Sequence, residues 1–358
     1  LVVKEDKKNM KKLCGLLLCG FLLVSVSACS SKSEKTEGCK LTVSTFQLSE
    51  DIVNDDVVKP FEEKYNCDVV TDLGNSADRF TKLENNPESG IDVIELNQST
   101  AAKGYEEGLF DKLDTSKIEN LKDLITPAKN MQSESGYGPA YVIQSVGIVY
   151  DKEAVGFEIT SWDDLWKAEL KGAIALPDIT TTFGPAMVHI ASDHAGVDIK
   201  KDNGEAAFKA LEAIKPNVVK TYTKSSDLAN MFAAGEIKAA VVGDFAVPNI
   251  QKAAQDVVYL VPKSGTYANF NTIDVVANSK NKDMAYKYIN WRISQELQSV
   301  TSKSLNEGPT NAKVELSEDE AKKLTYGEIA ENAKAIDYTF VNPLLANWTD
   351  QWNRILNR

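Results

Sequence analysis

From Leu41 onward the chain alternates apolar runs of strand length with amphipathic helical stretches, and few architectures accept that alternation. Leu41–Phe46, Cys67–Leu73 and Ile91–Leu96 read as strands. The first is followed by a helical stretch with Ile52, Val57, Val58, Phe61 and Tyr65 as its apolar members. The second is followed by Ser76–Glu84, with Phe80 and Leu83 inward, and the third by a helix through Tyr105 that ends at Gly108. Strand and helix in strict succession predict a parallel sheet with helices on both faces. Such sheets take ligands beyond the carboxyl ends of their strands. That rule nominates Phe46 and Gln47, Leu73–Ser76, and Asn97–Thr100.

A second α/β pattern begins at Pro139. Tyr141–Tyr150 is rich in β-branched and aromatic residues and reads as a strand. Ser161 is placed to cap a helix whose first turn holds Asp163 and Asp164 and whose apolar face holds Trp162, Leu165 and Trp166. The run Ala173–Leu176 follows, ended by Pro177 and Asp178, and leads into Thr180, Thr181, Thr182 and Phe183 before a helix over Pro185–His194. Helices are predicted over Gly204–Ile214, Ser226–Ala234 and Lys282–Ser294, and strands over Val218–Thr221, Ala239–Val242, Val257–Val261 and Ile273–Val276. Ser317–Leu324 reads as a short helix. Leu344–Leu356 closes the chain as a helix carrying Trp348 and Trp352. At 358 residues the chain has room for two domains.

The N-terminus reads as a targeting segment. Met10, Lys11 and Lys12 begin a basic region, Leu13–Val26 is apolar, and Val26–Cys29 matches a lipoprotein processing box whose thiol takes a diacylglycerol. The apolar run is shorter than the ~20 residues of a membrane span. Residues 1–29 are therefore expected to be signal peptide and lipobox, with Cys29 lipidated, and residues 30–38 a polar tether. The chain is expected on the outer face of the cytoplasmic membrane, or in the periplasm, held by lipid. Cys14 and Cys19 leave with the signal, so Cys39 and Cys67 stay in an exported body, where a disulfide can persist and two buried thiols are the other reading. Net charge is −12; the first 28 residues carry +3, so the rest carries −15, which argues against nucleic acid as a partner.

Enzyme signatures are missing from the sequence. It has two His, His189 and His194, five residues apart and so on different sides of a helix. It has no G-x-S-x-G, no phosphate-binding glycine loop and no converging His/Cys set for zinc. No catalytic residue, metal or cofactor is expected.

Thr160–Gly172 (TSWDDLWKAELKG), followed by a short strand and an Asp loop, resembles the extracellular solute-binding proteins of ABC importers, most of all their polyamine (spermidine/putrescine) branch. Glu107–Asp114, Met231–Ile237 and Ala277–Lys282 carry the same likeness, which covers most of residues 40–312. It implies an α/β, two-lobed, type II periplasmic-binding-protein fold, each lobe a mostly parallel sheet flanked by helices. Residues 39–139 with 268–358 would form lobe one and 140–267 lobe two. The family's fold would set the starting ends of the first two strands side by side and so pair Cys39 with Cys67. Permease and ATPase subunits are implied as partners of a monomeric receptor.

The resemblance also implies a site. Asp178 matches an acid that the polyamine branch uses to bind an ammonium group; as a bare residue it reads equally as an Asx-turn. Thr181 stands where that branch has a second acid. Thr180–Thr182 at a helix start instead suit an anion. Phe46 replaces a first-strand Trp, with Gln47 beside it; Asn97 and Ser99 replace a Ser and a Tyr; Tyr141 matches a hinge-proximal Tyr. Gly243 replaces a Trp, leaving Asp244 to take an amine contact. Asn269 and Asn271 replace a Trp and an Asp, and amides cannot neutralise a cation. Asp337, Tyr338 and Phe340 could add an acid and rings. A solute of the polyamine class is the first expectation, a thiamine-type or phosphonate-type solute on the same fold the second. A surface interaction protein without transport ligand is the alternative class.

Overall fold

The structure, a computed structural model, describes residues 38–357 apart from Leu48. The expected signal peptide, the lipobox with Cys29 and nearly all of the tether lie outside the described residues. Ten strands occur among them: β1 Cys39–Phe46, β2 Cys67–Gly74, β3 Val93–Asn97, β4 Ala140–Asp151, β5 Ile174–Pro177, β6 Val218–Tyr222, β7 Ala239–Gly243, β8 Val257–Leu260, β9 Tyr267–Val275 and β10 Lys334–Ala335. The main path runs β2-β1-β3-β9-β4-β7-β5-β6. β1 pairs in parallel with β2 and β3, and β5 with β6 and β7; along this path β9 and β4 run antiparallel to their neighbours, while β10 joins β9 in parallel off the path.

β4 carries the architecture. Its first half, Ala140–Ser145, pairs with Thr272–Ala268 of β9; its second half, Val146–Tyr150, pairs with Gly243–Ala239 of β7. The partner changes between Ser145 and Val146, so one strand serves two sheets. Each sheet has its own parallel strands and its own set of carboxyl ends: Phe46, Gly74 and Asn97 on one, Pro177, Tyr222 and Gly243 on the other. β5, buried along its whole length, reads as a continuous apolar run, as parallel strands covered on both faces do.

Cys39 and Cys67 are register partners at the starts of β1 and β2. Their Cα atoms are 4.5 Å apart and the two are disulfide-bonded. Arg292 is buried between Glu95 (3.0 Å) and Glu307 (2.7 Å), with the Tyr141 ring 4.1 Å from its guanidinium carbon. Charges this deep are tolerated because they are paired and hydrogen-bonded.

Several local expectations change. Residues 50–65 are not one helix: a π-helical segment, Asn54–Val58, interrupts it, and Ile52 faces solvent. Trp162–Trp166 is a 3-10 helix, opened by its Ser161–Asp164 capping box and ended at Lys167. Trp166 leaves the shared apolar face and stacks on His194 at 3.9 Å. The strand expected over Ile273–Val276 begins at Tyr267, because β4 and β10 both pair with that earlier half. Helices Thr126–Ser135 and Gln295–Ser304 were not expected; their polar faces dilute the apolar period. The closing helix starts at Tyr338, capped by Asp337, and runs through Pro343. Among the described residues no helix is long and apolar enough to cross a membrane.

Candidate functional site

The carboxyl ends of β1–β3 form one wall. Phe46 is half-buried, and the Arg79 guanidinium lies 4.8 Å from its ring. Arg79 donates from Nε to the Gly74 carbonyl (3.0 Å) and from Nη1 to the Ser44 carbonyl (2.9 Å); its buried Nη2 has no partner among the described residues. Gln47 is exposed. Asn97 caps the helix that follows β3, accepting from the Thr100 amide at 2.9 Å. Ser99 donates to Asn342 of the closing helix at 3.2 Å. Behind this wall the Thr45 hydroxyl donates to Glu95 at 2.6 Å, joining the Glu95–Arg292–Glu307 cluster. Tyr141 is part of that cluster, with burial raising its hydroxyl well above the usual range.

The carboxyl ends of β5–β7 form a second wall, and its two acids are both engaged internally. Asp178 Oδ1 accepts from the Thr180 amide (3.1 Å) and hydroxyl (2.7 Å), and Oδ2 from Asn357 Nδ2 (3.1 Å). Thr181 Oγ1 donates to the Asp178 carbonyl at 2.7 Å. Burial pushes the Asp178 carboxyl up, but the donors from Thr180, Asn357 and Thr221 outweigh it and hold it below the usual range. The same bonds fold Asp178–Thr181 into the Asx-turn that its sequence allows.

Asp244 is also turned inward. It accepts from the Thr325 amide (2.9 Å) and hydroxyl (2.5 Å) and from the Phe245 amide (2.8 Å). Thr325 Oγ1 in turn takes the Ser145 amide at 2.9 Å, at the point where β4 changes partners. Burial pushes the Asp244 carboxyl up to about 6, against these donors.

Between the acids lies an aromatic surface. Phe183 and Phe245 stack with centroids 6.2 Å apart and planes 22° apart. Gly243 sits beneath them: a Cβ there would be 2.3 Å from the Phe183 ring. The place that resemblance assigns to a side chain at 243 is thus filled by two rings from neighbouring positions. A cavity of about 300 Å³ opens here, lined by Thr180–Phe183, Tyr222, Thr223, Ser225, Gly243 and Phe245.

The strands between the walls bring polar residues together. Asn271 of β9 is opposite Asn97 of β3 and Val142 of β4, and Asn269 is opposite Gln144. Asn269 is 2% exposed, and its Oδ1 has no partner among the described residues. Tyr267, on the same strand face, donates to Asp193 of helix Gly184–His194 at 3.0 Å, so this face looks toward that helix. From the closing segment, Gln98 Nε2 donates to the Ile336 carbonyl (2.8 Å) and the buried Tyr338 hydroxyl lies 3.5 Å from the Thr182 carbonyl. Asp337 caps its helix and pairs with Lys200 at 2.5 Å.

Ten of the expected residues fall into three groups: Phe46, Gln47, Asn97 and Ser99 on the first wall, Asp178, Thr180, Thr181 and Asp244 on the second, and Asn269 and Asn271 on the strands between; Tyr141 belongs to none, being buried against Arg292. Arg79, Asn342, Phe245 and Asn357 are not among the nominated residues, whereas Gln98 lies within the nominated Asn97–Thr100. Phe245 had a visible signal, an aromatic two places beyond a strand-end glycine. The others depend on contacts far apart in sequence. No group of three or more His, Cys, Asp or Glu among the described residues is placed to hold a metal.

Comparison with known proteins agrees with this geometry. A family model described as bacterial extracellular solute-binding protein matches residues 56–326. Spermidine/putrescine-binding periplasmic protein 1 of Haemophilus influenzae is 28% identical over 339 residues, covering 90% of each chain. Putrescine-binding periplasmic protein PotF of Escherichia coli is 25% identical over 311 residues, 81% of each. Among solved structures, an ABC transporter from Clostridium perfringens is 56% identical with a TM-score of 0.86, over 88% of this chain and 99% of that one. A spermidine/putrescine substrate-binding protein, PotD, from Streptococcus pneumoniae shares the fold at 18% identity and a TM-score of 0.73, over 89% and 99%.

Proposed function

The chain belongs to the bacterial extracellular solute-binding proteins, and from that premise we propose that it is the receptor of an ABC importer, closing on one small organic solute. The family consists of substrate-binding transport proteins rather than enzymes, working with permease and ATPase subunits. The fold is the two-lobed α/β type of the periplasmic binding proteins. In our reading residues 39–139 and 268–358 make lobe one, residues 140–267 make lobe two, and a lipid on Cys29 holds the monomer at the outer face of the membrane.

The observation that carries the reading is the partner switch of β4 at Ser145–Val146. Two sheets joined by long shared strands can rotate about them while each keeps its own parallel ladder. Hinge closure is the ordinary motion of such receptors, and it buries whatever lies at the strand ends. Phe46, Gln47, Asn97 and Ser99 would supply one jaw, Thr180, Thr181 and the Phe183–Phe245 surface the other, with Asn269 and Asn271 as the floor.

Likeness to the named relatives favours a polyamine. One observation favours a less charged solute: Asp178 and Asp244, the acids expected to take ammonium groups, already have their donors within the chain. Thermal denaturation with millimolar putrescine, spermidine and the small-molecule fraction of growth medium tests both levels. Binding adds RT ln(1 + [L]/Kd) to stability, about 2.7 kcal/mol at a hundredfold excess over Kd. A raised Tm with any of the three supports the receptor. A rise with the medium fraction and none with the two amines removes the polyamine reading alone.

A further inference from the structure

We infer that the cavity at the ends of β5–β7 takes a flat, ring-bearing and weakly charged part of the solute, with Phe245 as its stacking face. This deepens the receptor reading and rests on it.

The lining of that cavity contains no Asp, Glu, Lys or Arg. A polycation held there would meet no acid in the lining itself, and Asp178, bonded to Thr180 of that lining, already accepts from Thr180 and Asn357; a desolvated ammonium without a free counter-charge is costly. Phe245 is 46% exposed, whereas Phe183 beneath it is 4% exposed. The pair is arranged as a buried support and an open face. Stacked rings prefer a flat partner at offset, and each such pair adds to the area it buries. Gly243 makes the arrangement available, since its missing side chain is the space the Phe183 ring occupies.

The rim supplies direction. The hydroxyls of Thr223 and Ser225 make no hydrogen bond among the described residues, and the Thr180 and Thr181 hydroxyls, used as donors, keep lone pairs to accept with. Hydroxyls both donate and accept, so they read the N–H and C=O edge of a heterocycle without requiring charge. About 300 Å³ accommodates one small ring system with its substituents.

The test is saturation-transfer NMR and calorimetry on the folded chain with uracil, nicotinamide and thiamine as ring probes and putrescine and spermidine as acyclic polycations. At least one ring probe is expected to bind. Phe245→Ala is expected to weaken it by roughly tenfold, and Phe245→Tyr to retain it. Gly243→Ala, which displaces Phe183, is expected to weaken it as well. Because Phe245 is half exposed, the Tm of Phe245→Ala without probe should match the parent's. Binding of spermidine or putrescine that survives Phe245→Ala, or failure of all three ring probes, overturns the inference. The receptor reading falls separately, only if the medium fraction also leaves the Tm unmoved.

Discussion

Asn357 Nδ2 donates to Asp178 Oδ2 at 3.1 Å, tying the end of the closing helix to the loop that leaves β5. Thr221 completes the junction by donating to Asn357 Oδ1 at 2.6 Å. Asp178 is thereby an organiser of its own loop before any solute arrives. Asp178→Ala should cost roughly 1–3 kcal/mol of stability through the donors it strands, read by urea denaturation without solute. Unchanged stability would mean that the carboxylate is free for other work.

The same junction sets a pH response. Asp178 titrates below its unfolded value, so its contribution is complete above the unfolded pKa and is lost as pH falls through the folded one. Asn357→Ala removes one donor and should raise the Asp178 pKa, seen in a carboxyl-carbon NMR titration. An unmoved titration would contradict the bond.

Asp274 behaves oppositely. It is buried between the Gly138 amide, 2.7 Å away, and the Thr272 hydroxyl, and burial pushes its carboxyl up to about 7. Its stabilising share is present below the unfolded pKa and is lost as pH rises toward 7. Asp274→Asn, which keeps an acceptor for Gly138, should flatten Tm against pH between 4 and 8, values set here by the ordinary carboxylate pKa of about 3.9 and the raised one. A profile as steep as the parent's would place the titration elsewhere.

Arg292 holds Glu95 and Glu307 together behind the ends of β1 and β3. Removing one partner of a buried pair leaves the other charge uncompensated. Arg292→Ala should therefore cost roughly 3–5 kcal/mol in chemical denaturation. A loss below about 1 kcal/mol, the range of surface pairs, would show that the cluster is wet.

The Cys39–Cys67 bond closes a separation of 28 residues. The chain-entropy treatment gives roughly 3–4 kcal/mol for a loop of that size. Dithiothreitol should lower the denaturation midpoint accordingly without unfolding the chain, since β1 and β2 stay paired through eight register positions. No change on reduction would mean that the thiols are unbonded.

Much of the fold was legible because strand and helix periods are local. Leu41–Phe46, Ala239–Val242 and Gly204–Ile214 state their own structure in their apolar spacing, and their bounds shift by only a residue or two. Helix Gln295–Ser304 was invisible because it is mainly polar and is held by Gln298, which donates to the Tyr141 carbonyl and accepts from the amides of Thr310 and Asn311. The candidate site was legible as strand ends, since topology alone nominates them. The state of its side chains was not: that Asp178 meets Asn357, or Asp244 meets Thr325, depends on contacts across 179 and 81 residues. Gly243 is the instructive case. Sequence shows only a missing ring, and the structure puts Phe183 in its place.

Native mass spectrometry of the gently purified chain, before and after exposure to the small-molecule fraction of growth medium, addresses the central claim most directly. The account predicts one small organic molecule bound per chain, lost on unfolding and regained after refolding in that fraction. A bare chain under both conditions would contradict it.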